Sequence, residues 1–152
     1  MKIIVDGDAC PGKEIIEAAA KLYNVQVLIF CDINHVINSS YSRVIYIDKG
    51  FQTVDIAVAN ETSKGDIVIT QDFGVAAMCL GKKAYALGPK GYIYTDENID
   101  RLLFERHIAA KVRKGGGRTA NQKKRNSGDD ERLRASLIQL IEKAMEINPQ
   151  SP

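Results

Sequence analysis

The sequence predicts an α/β protein built on a mostly parallel sheet, and two observations carry that prediction. Short apolar runs rich in β-branched residues, beginning with Ile3-Ile4-Val5 and recurring at 67–70, do not alternate with polar residues, as expected of strands covered on both faces. Between such runs lie segments whose apolar residues repeat at helical spacing, and strands alternating with helices are the mark of parallel βαβ units.

The first strand ends on Asp6-Gly7-Asp8. It leads into a helix predicted over 13–23, with Ile15, Ile16, Ala19, Ala20 and Tyr23 at helical spacing. Pro11 is expected as the first helical residue, where its missing N–H costs nothing. Asp6 and Asp8 then belong at the carboxyl end of a strand, the edge at which open α/β sheets bind ligands. Asp8 has an alternative as a helix cap, which accounts for one acid and leaves the other. Residues 25–30 and 43–47 read as the second and third strands, joined by an irregular segment whose His35 reads as a surface residue. Thr53 is expected to cap a helix over 54–62, with Asp55 in its first turn, where the helix dipole favours an acid whatever its further role.

Lys64-Gly65-Asp66 turns into a fourth strand at 67–70, followed by Gln71-Asp72 and a helix over 75–80. Asp66 and Asp72 stand six residues apart, about 20 Å along an extended chain. Only Asp72 therefore shares the carboxyl edge with Asp6, and Asp66 closes the preceding turn. A fifth strand at 84–87, a Gly88-Pro89-Lys90-Gly91 turn and a short extra strand at 92–94 follow. The next helix is capped by Thr95, with Asp96 and Glu97 opposing its dipole and Ile99, Leu102, Leu103 and Ile108 as its apolar residues.

Gly115-Gly116-Gly117 ends that helix, and 118–130 lacks apolar periodicity. Lys111, Arg113, Lys114, Arg118, Lys123, Lys124 and Arg125 form a basic stretch without an acid, suited to phosphate contacts on an extended chain. It has no aromatic residue to stack on bases, so it offers grip without sequence reading. A last helix opens at Asp129 and Asp130 with Leu133, Leu137, Leu140, Ile141 and Ala144 on one face, which must pack on the domain or on a second copy. The expected organisation is an α/β domain over 1–114, a flexible basic linker over 115–130 and a C-terminal helix over 131–148. The net charge of +2 hides a division: residues 1–100 hold 9 Lys/Arg against 13 Asp/Glu, and residues 101–152 hold 12 against 6. That division suits a polyanionic partner. Cys10, Cys31 and Cys79 are odd in number and lack metal-type spacing, so a disulfide framework is not expected. With no cationic-then-apolar leader and no apolar run near the length of about 20 residues that spans a bilayer, the expected location is the cytoplasm, away from membranes.

Four separated stretches carry a resemblance: Asp6-Gly7-Asp8-Ala9-Cys10-Pro11, residues 65–72, Tyr94-Thr95 with Asn98-Ile99, and Arg113 through Thr119. Together they resemble the YaiI/YqxD family of small bacterial proteins, grouped with PIN-like domains, over roughly residues 1–120. The resemblance implies a three-layer, PIN-like α/β fold and, by relation to PIN nucleases, a metal-dependent acidic site. Carried over by position, the acids of that site match Asp6, Asp55 and Asp72, with Asp8 nearby.

Hard Mg²⁺ or Mn²⁺ ions take oxygen ligands and keep several waters, so carboxylates converging from separate elements suit them. Such ions activate water and stabilise in-line displacement at phosphate. The leading expectation is a metal-dependent nuclease acting on RNA, with Asp6 and Asp72 as ligands, Asp8 and Asp55 completing the shell, and Thr70 or Gln71 placing water or substrate. A second reading is a haloacid-dehalogenase-like phosphatase with Asp6 as nucleophile; a third is a non-catalytic RNA-binding or adaptor domain that grips through the basic stretch.

Overall fold

The computed structural model describes residues 1–7, 11–34, 36–48, 50, 52–117 and 124–147. The strands are β1 (Ile3–Asp6), β2 (Val27–Asp32), β3 (Arg43–Ile47), β4 (Ile67–Ile69), β5 (Tyr85–Leu87) and β6 (Ile93–Tyr94). The helices are α1 (Lys13–Leu22), α2 (Val54–Glu61), α3 (Phe73–Gly81), α4 (Asp96–Lys114) and α5 (Ser127–Ile147). One sheet runs in the order β3-β2-β1-β4-β5-β6. Every pairing is parallel except the last, where β6 returns antiparallel to β5.

Side chains on a strand alternate between the two faces, and β1 shows why its apolar run is unbroken. Ile3 and Val5 join Val27, Ile29, Ile67 and Ile69 beneath α1 and α5. Ile4 joins Leu28, Phe30 and Val68 beneath Val54, Ala57 and Val58 of α2 and Val75 and Cys79 of α3. The result is the expected three-layer α/β architecture, helices on sheet on helices. Tyr94, Ala86, Ala76 and Ile99 make a smaller cluster under α4.

Several boundaries differ from expectation, each for a local reason. Pro11 lies outside α1, whose cap is Gly12 at φ 94. β2 begins at Val27 because the Val25 N–H still closes the end of α1 on the Ala20 carbonyl at 2.8 Å. The next helix starts at Phe73, two residues early, because the Asp72 carboxylate accepts from the Gly74 and Val75 N–H groups. Thr53 does precede α2, without a side-chain cap bond. Thr95 caps α4 through a full capping box with Asn98. Asp66 closes its turn as expected, accepting from Ser63 N–H at 2.9 Å, Lys2 N–H at 3.1 Å and Lys2 Nζ at 2.7 Å.

The C-terminal helix packs on its own domain. Leu133, Leu137 and Ile141 are fully buried with Leu140 against the α1 face of the sheet. Its start is fixed by a reciprocal pair: Asn126 N–H donates to the Asp129 carboxylate at 2.9 Å, and Asp129 N–H to the Asn126 side chain at 3.0 Å. The Asn126 N–H holds the Asp129 carboxyl below its usual range. That contribution is therefore complete above the ordinary Asp pKa and is lost as pH falls through the lowered one. Gly91, at φ +90, lies so close to α5 that a Cβ there would meet the Arg132 carbonyl carbon at 2.5 Å. Arg125, expected among the cations of the basic stretch, has partners within the fold. Its Nε and Nη2 reach Asp130 at 2.8 and 2.7 Å, and Nη1 donates to the Pro89 carbonyl. The side chain ties the start of α5 to the β5–β6 turn. Among the described residues no helix is long and apolar enough to cross a membrane.

Candidate acidic site and the adjoining clefts

The sheet order places β1 beside both β2 and β4. The chain therefore leaves β1 to one side and later resumes on the other, and the carboxyl ends of β1 and β4 form the crevice where open α/β sheets take ligands. Asp6 is the last residue of β1, and Asp72 follows β4 at the cap of α3. Gly7 allows the chain to turn there: a Cβ would stand 2.8 Å from both Ile29 Cγ2 and the Phe30 carbonyl of β2.

Thr70 joins the two acids. Its hydroxyl donates to Asp6 Oδ2 at 3.0 Å and accepts the Asp72 N–H at 3.0 Å. Its own N–H donates to the Leu87 carbonyl at 3.0 Å, and its carbonyl accepts from the Tyr94 hydroxyl at 3.2 Å. Burial, helped by nearby Tyr92 and Asp72, pushes the Tyr94 hydroxyl up to about 12, so it remains a donor throughout the physiological range. Asp72 Oδ1 is occupied by helix capping, at 2.8 Å from Gly74 N and 3.2 Å from Val75 N. Thr70→Val removes the hydroxyl that spans both acids from a buried position. The expected loss is about 1–3 kcal/mol of stability, read by denaturant unfolding; wild-type stability would contradict the bridging role.

The other expected residues are spread more widely. Asp55 lies half-buried in the first turn of α2, and its carboxylate accepts from Ile56 N–H at 3.1 Å. Because α2 follows β3, Asp55 stands at the carboxyl side of the sheet. Among the described residues, however, no group of three or more His, Cys, Asp or Glu could hold a metal ion. Asp8, Cys10, His35, Arg118 and Lys123 lie outside the described residues. A further acid, not among those expected, is Asp32, the buried last residue of β2, whose carboxylate accepts from Asn34 N–H at 2.8 Å. An acid ending an apolar strand was its available signal, the same one that marked Asp6.

Gln71 is exposed between two clefts. One, of about 460 Å³, is lined by Gln71, Phe73, Pro89, Lys90, Tyr92, Tyr94 and Leu102 among others. The second, of about 550 Å³, shares Gln71, Phe73 and Leu102 and adds Asp72, Glu105, Arg106 and Arg113. Lys111 and Lys114 are exposed on the last turns of α4, and Lys124 is exposed ahead of α5. The donor set at the crevice is all oxygen. It fits Mg²⁺ or Mn²⁺, since a hard ion of this kind is commonly held through one or two carboxylates, with waters and substrate phosphate completing its shell. Asp6 and Asp72 are the pair that would hold it.

A family model described as the uncharacterised YaiI/YqxD family matches residues 4–143. The chain is 59% identical over 141 residues to a "UPF0178 protein" of Clostridium kluyveri, covering 93% of each chain. It is 59% identical over 144 residues to one of Clostridium tetani, covering 95% of this chain and 99% of the relative. A Clostridium perfringens relative is 58% identical over 147 residues, covering 97% and 99%. No solved structure matches the chain.

Proposed function

The chain belongs to the YaiI/YqxD family, and for this member we propose the function of a cytoplasmic, divalent-metal-dependent nuclease acting on RNA. The observation that carries the reading is the Thr70 hydroxyl at the crevice between β1 and β4, which holds the Asp6 carboxylate on one side and the backbone N–H of Asp72 on the other. Asp6 and Asp72 hold Mg²⁺ or Mn²⁺, with Asp8 and Asp55 supporting the site. The ion, when bound, activates water and neutralises charge on the reacting phosphate. Thr70 fixes the direction of the Asp6 carboxylate, and Gln71, exposed beside Asp72, orients the substrate by hydrogen bonds. Lys111, Arg113, Lys114 and Lys124 draw the polyanion toward that edge. Arg125 belongs to the same basic stretch and also meets Asp130 at 2.7 Å.

The phosphatase reading is less supported, because Lys64-Gly65-Asp66, which superficially continues that family's pattern, would have to stand at the carboxyl end of the strand. That acid precedes β4 at the amino edge of the sheet, held by Lys2 at 2.7 Å, and stands away from Asp6. The test of the nuclease reading is incubation of end-labelled RNA with highly purified protein in Mn²⁺ and in EDTA. Cleavage in Mn²⁺ that EDTA abolishes is the expected result. RNA binding without cleavage in any divalent ion would overturn it in favour of a binding module. Replacing Lys111, Lys114 and Lys124 together with Ala should flatten the salt dependence of RNA binding, by about one logarithmic slope unit for each phosphate that these lysines neutralise.

A further inference from the structure

The two clefts beside Gln71 adjoin through shared Gln71, Phe73 and Leu102, and together they offer a groove with chemically distinct halves. The first half is aromatic: Tyr92 is 45% exposed, its ring 5.7 Å from that of Tyr94, and Tyr94 meets Phe73 edge-on at 5.8 Å. The second half is charged, and its Arg106 guanidinium stands 5.9 Å over the Phe73 ring. Arg113 and Asp72 line the same half, so an apolar, π-rich surface opens directly onto two cations and the acidic edge.

Resting on the nuclease reading above, we propose that this groove is a nucleotide subsite for single-stranded RNA, with a base seated against Tyr92 and Phe73 and its phosphate toward Arg106 and Arg113. A purely apolar ligand leaves the two arginines unused, and a simple anion leaves the aromatic half unused. A nucleotide matches both, since it joins a flat π-face to a phosphate. The base must be unpaired to reach the rings, which selects single strands over duplex. The subsite also supplies the stacking surface that the basic stretch lacks.

Binding of a fluorescent single-stranded RNA oligomer to the full chain, measured in EDTA so that nothing turns over, tests the subsite. Tyr92→Ala should weaken binding about tenfold, Tyr92→Phe should bind like wild type, and an oligomer with abasic positions should bind both proteins equally weakly. Wild-type affinity in Tyr92→Ala, equal affinity for abasic and intact oligomers, or no binding of the oligomer by wild type would overturn the subsite. The nuclease reading is judged separately, by Mn²⁺-dependent cleavage: cleavage with an unaffected Tyr92→Ala sinks the subsite alone, whereas stacking-dependent binding without cleavage sinks the nuclease alone.

A different surface carries a second inference. Phe104, Ile108 and Val112 are 64%, 42% and 40% exposed and recur every four residues on one stripe of α4, turned away from buried Ile99. The acids of α4, Asp96, Glu97, Asp100 and Glu105, lie in its first half together with one cation, Arg101, which meets Glu105 at 3.4 Å on the exposed surface, and Arg106, Lys111, Arg113 and Lys114 lie in its second. The geometry points to a second copy of this chain as the occupant, packed antiparallel about Ile108. That arrangement sets Phe104 of one copy against Val112 of the other and Glu105 against Lys111, as a two-fold, self-complementary interface requires. It moves self-association from the C-terminal helix, whose apolar face is already buried, to α4. Sedimentation of the wild type should show a dimer. Ile108→Glu should give a folded monomer, and Glu105→Lys should weaken the dimer in a way that adding Lys111→Glu restores. A monomeric wild type, a dimeric Ile108→Glu variant or no restoration by the charge swap would overturn it.

Discussion

Asp6→Asn is expected to lower Mn²⁺-dependent RNA cleavage on the order of 100-fold or more while leaving oligonucleotide binding in EDTA unchanged. The substitution removes charge and keeps shape. An amide oxygen still accepts the 3.0 Å bond from the Thr70 hydroxyl, so the turn out of β1 keeps its support. The negative charge that holds a hard cation is gone, and outer partners of metal ligands alone are typically worth roughly 10- to 100-fold. The binding charges on α4 are not altered by the substitution and remain. Cleavage and binding measured on the same preparation, with a denaturation curve to verify folding, give the comparison. Undiminished cleavage by Asp6→Asn would remove Asp6 from the chemistry.

The largest expected effect on stability is at Leu137. Its side chain is fully buried in α5 within the cluster formed with Ile16, Ala19 and the α1 face of the sheet. Leu137→Ala deletes buried methyl groups and leaves a cavity, an expected loss of about 2–5 kcal/mol. The whole domain should unfold in one transition, shifted to lower denaturant with an unchanged slope. An early transition confined to the C-terminal helix, with the sheet still folded, would show that α5 is an appendage.

The layers and the edge are legible in the sequence because they depend on local alternation. Ile3, Ile4 and Val5 announce a strand buried on both faces, and an acid after such a strand falls at its carboxyl end. Strand length alone assigns Asp72 to the edge of Asp6, and β4 indeed pairs with β1. What local pattern does not supply is the meeting of distant segments. The bond from Val25 back to Ala20 shifts β2 onward and brings Asp32 to its end. Arg125 reads as one more cation until Asp130 and the Pro89 carbonyl are found beside it. Ile108 has the spacing of a core residue, yet α4 meets the domain on another face. Phe73 opens α3, Tyr92 lies in the β5–β6 turn and Tyr94 in β6, and they form a surface only when β4, β5 and β6 lie side by side.

Asp6 and Asp72 are proposed to hold a divalent ion at the crevice between β1 and β4. Anomalous diffraction from crystals soaked in Mn²⁺ tests it most directly. The expected result is a Mn²⁺ peak within ordinary oxygen-ligand distance, about 2.2 Å, of carboxylate oxygens from both Asp6 and Asp72, and absent from crystals of Asp6→Asn. No Mn²⁺ at that crevice in the wild-type protein, at concentrations that support cleavage, would contradict the account.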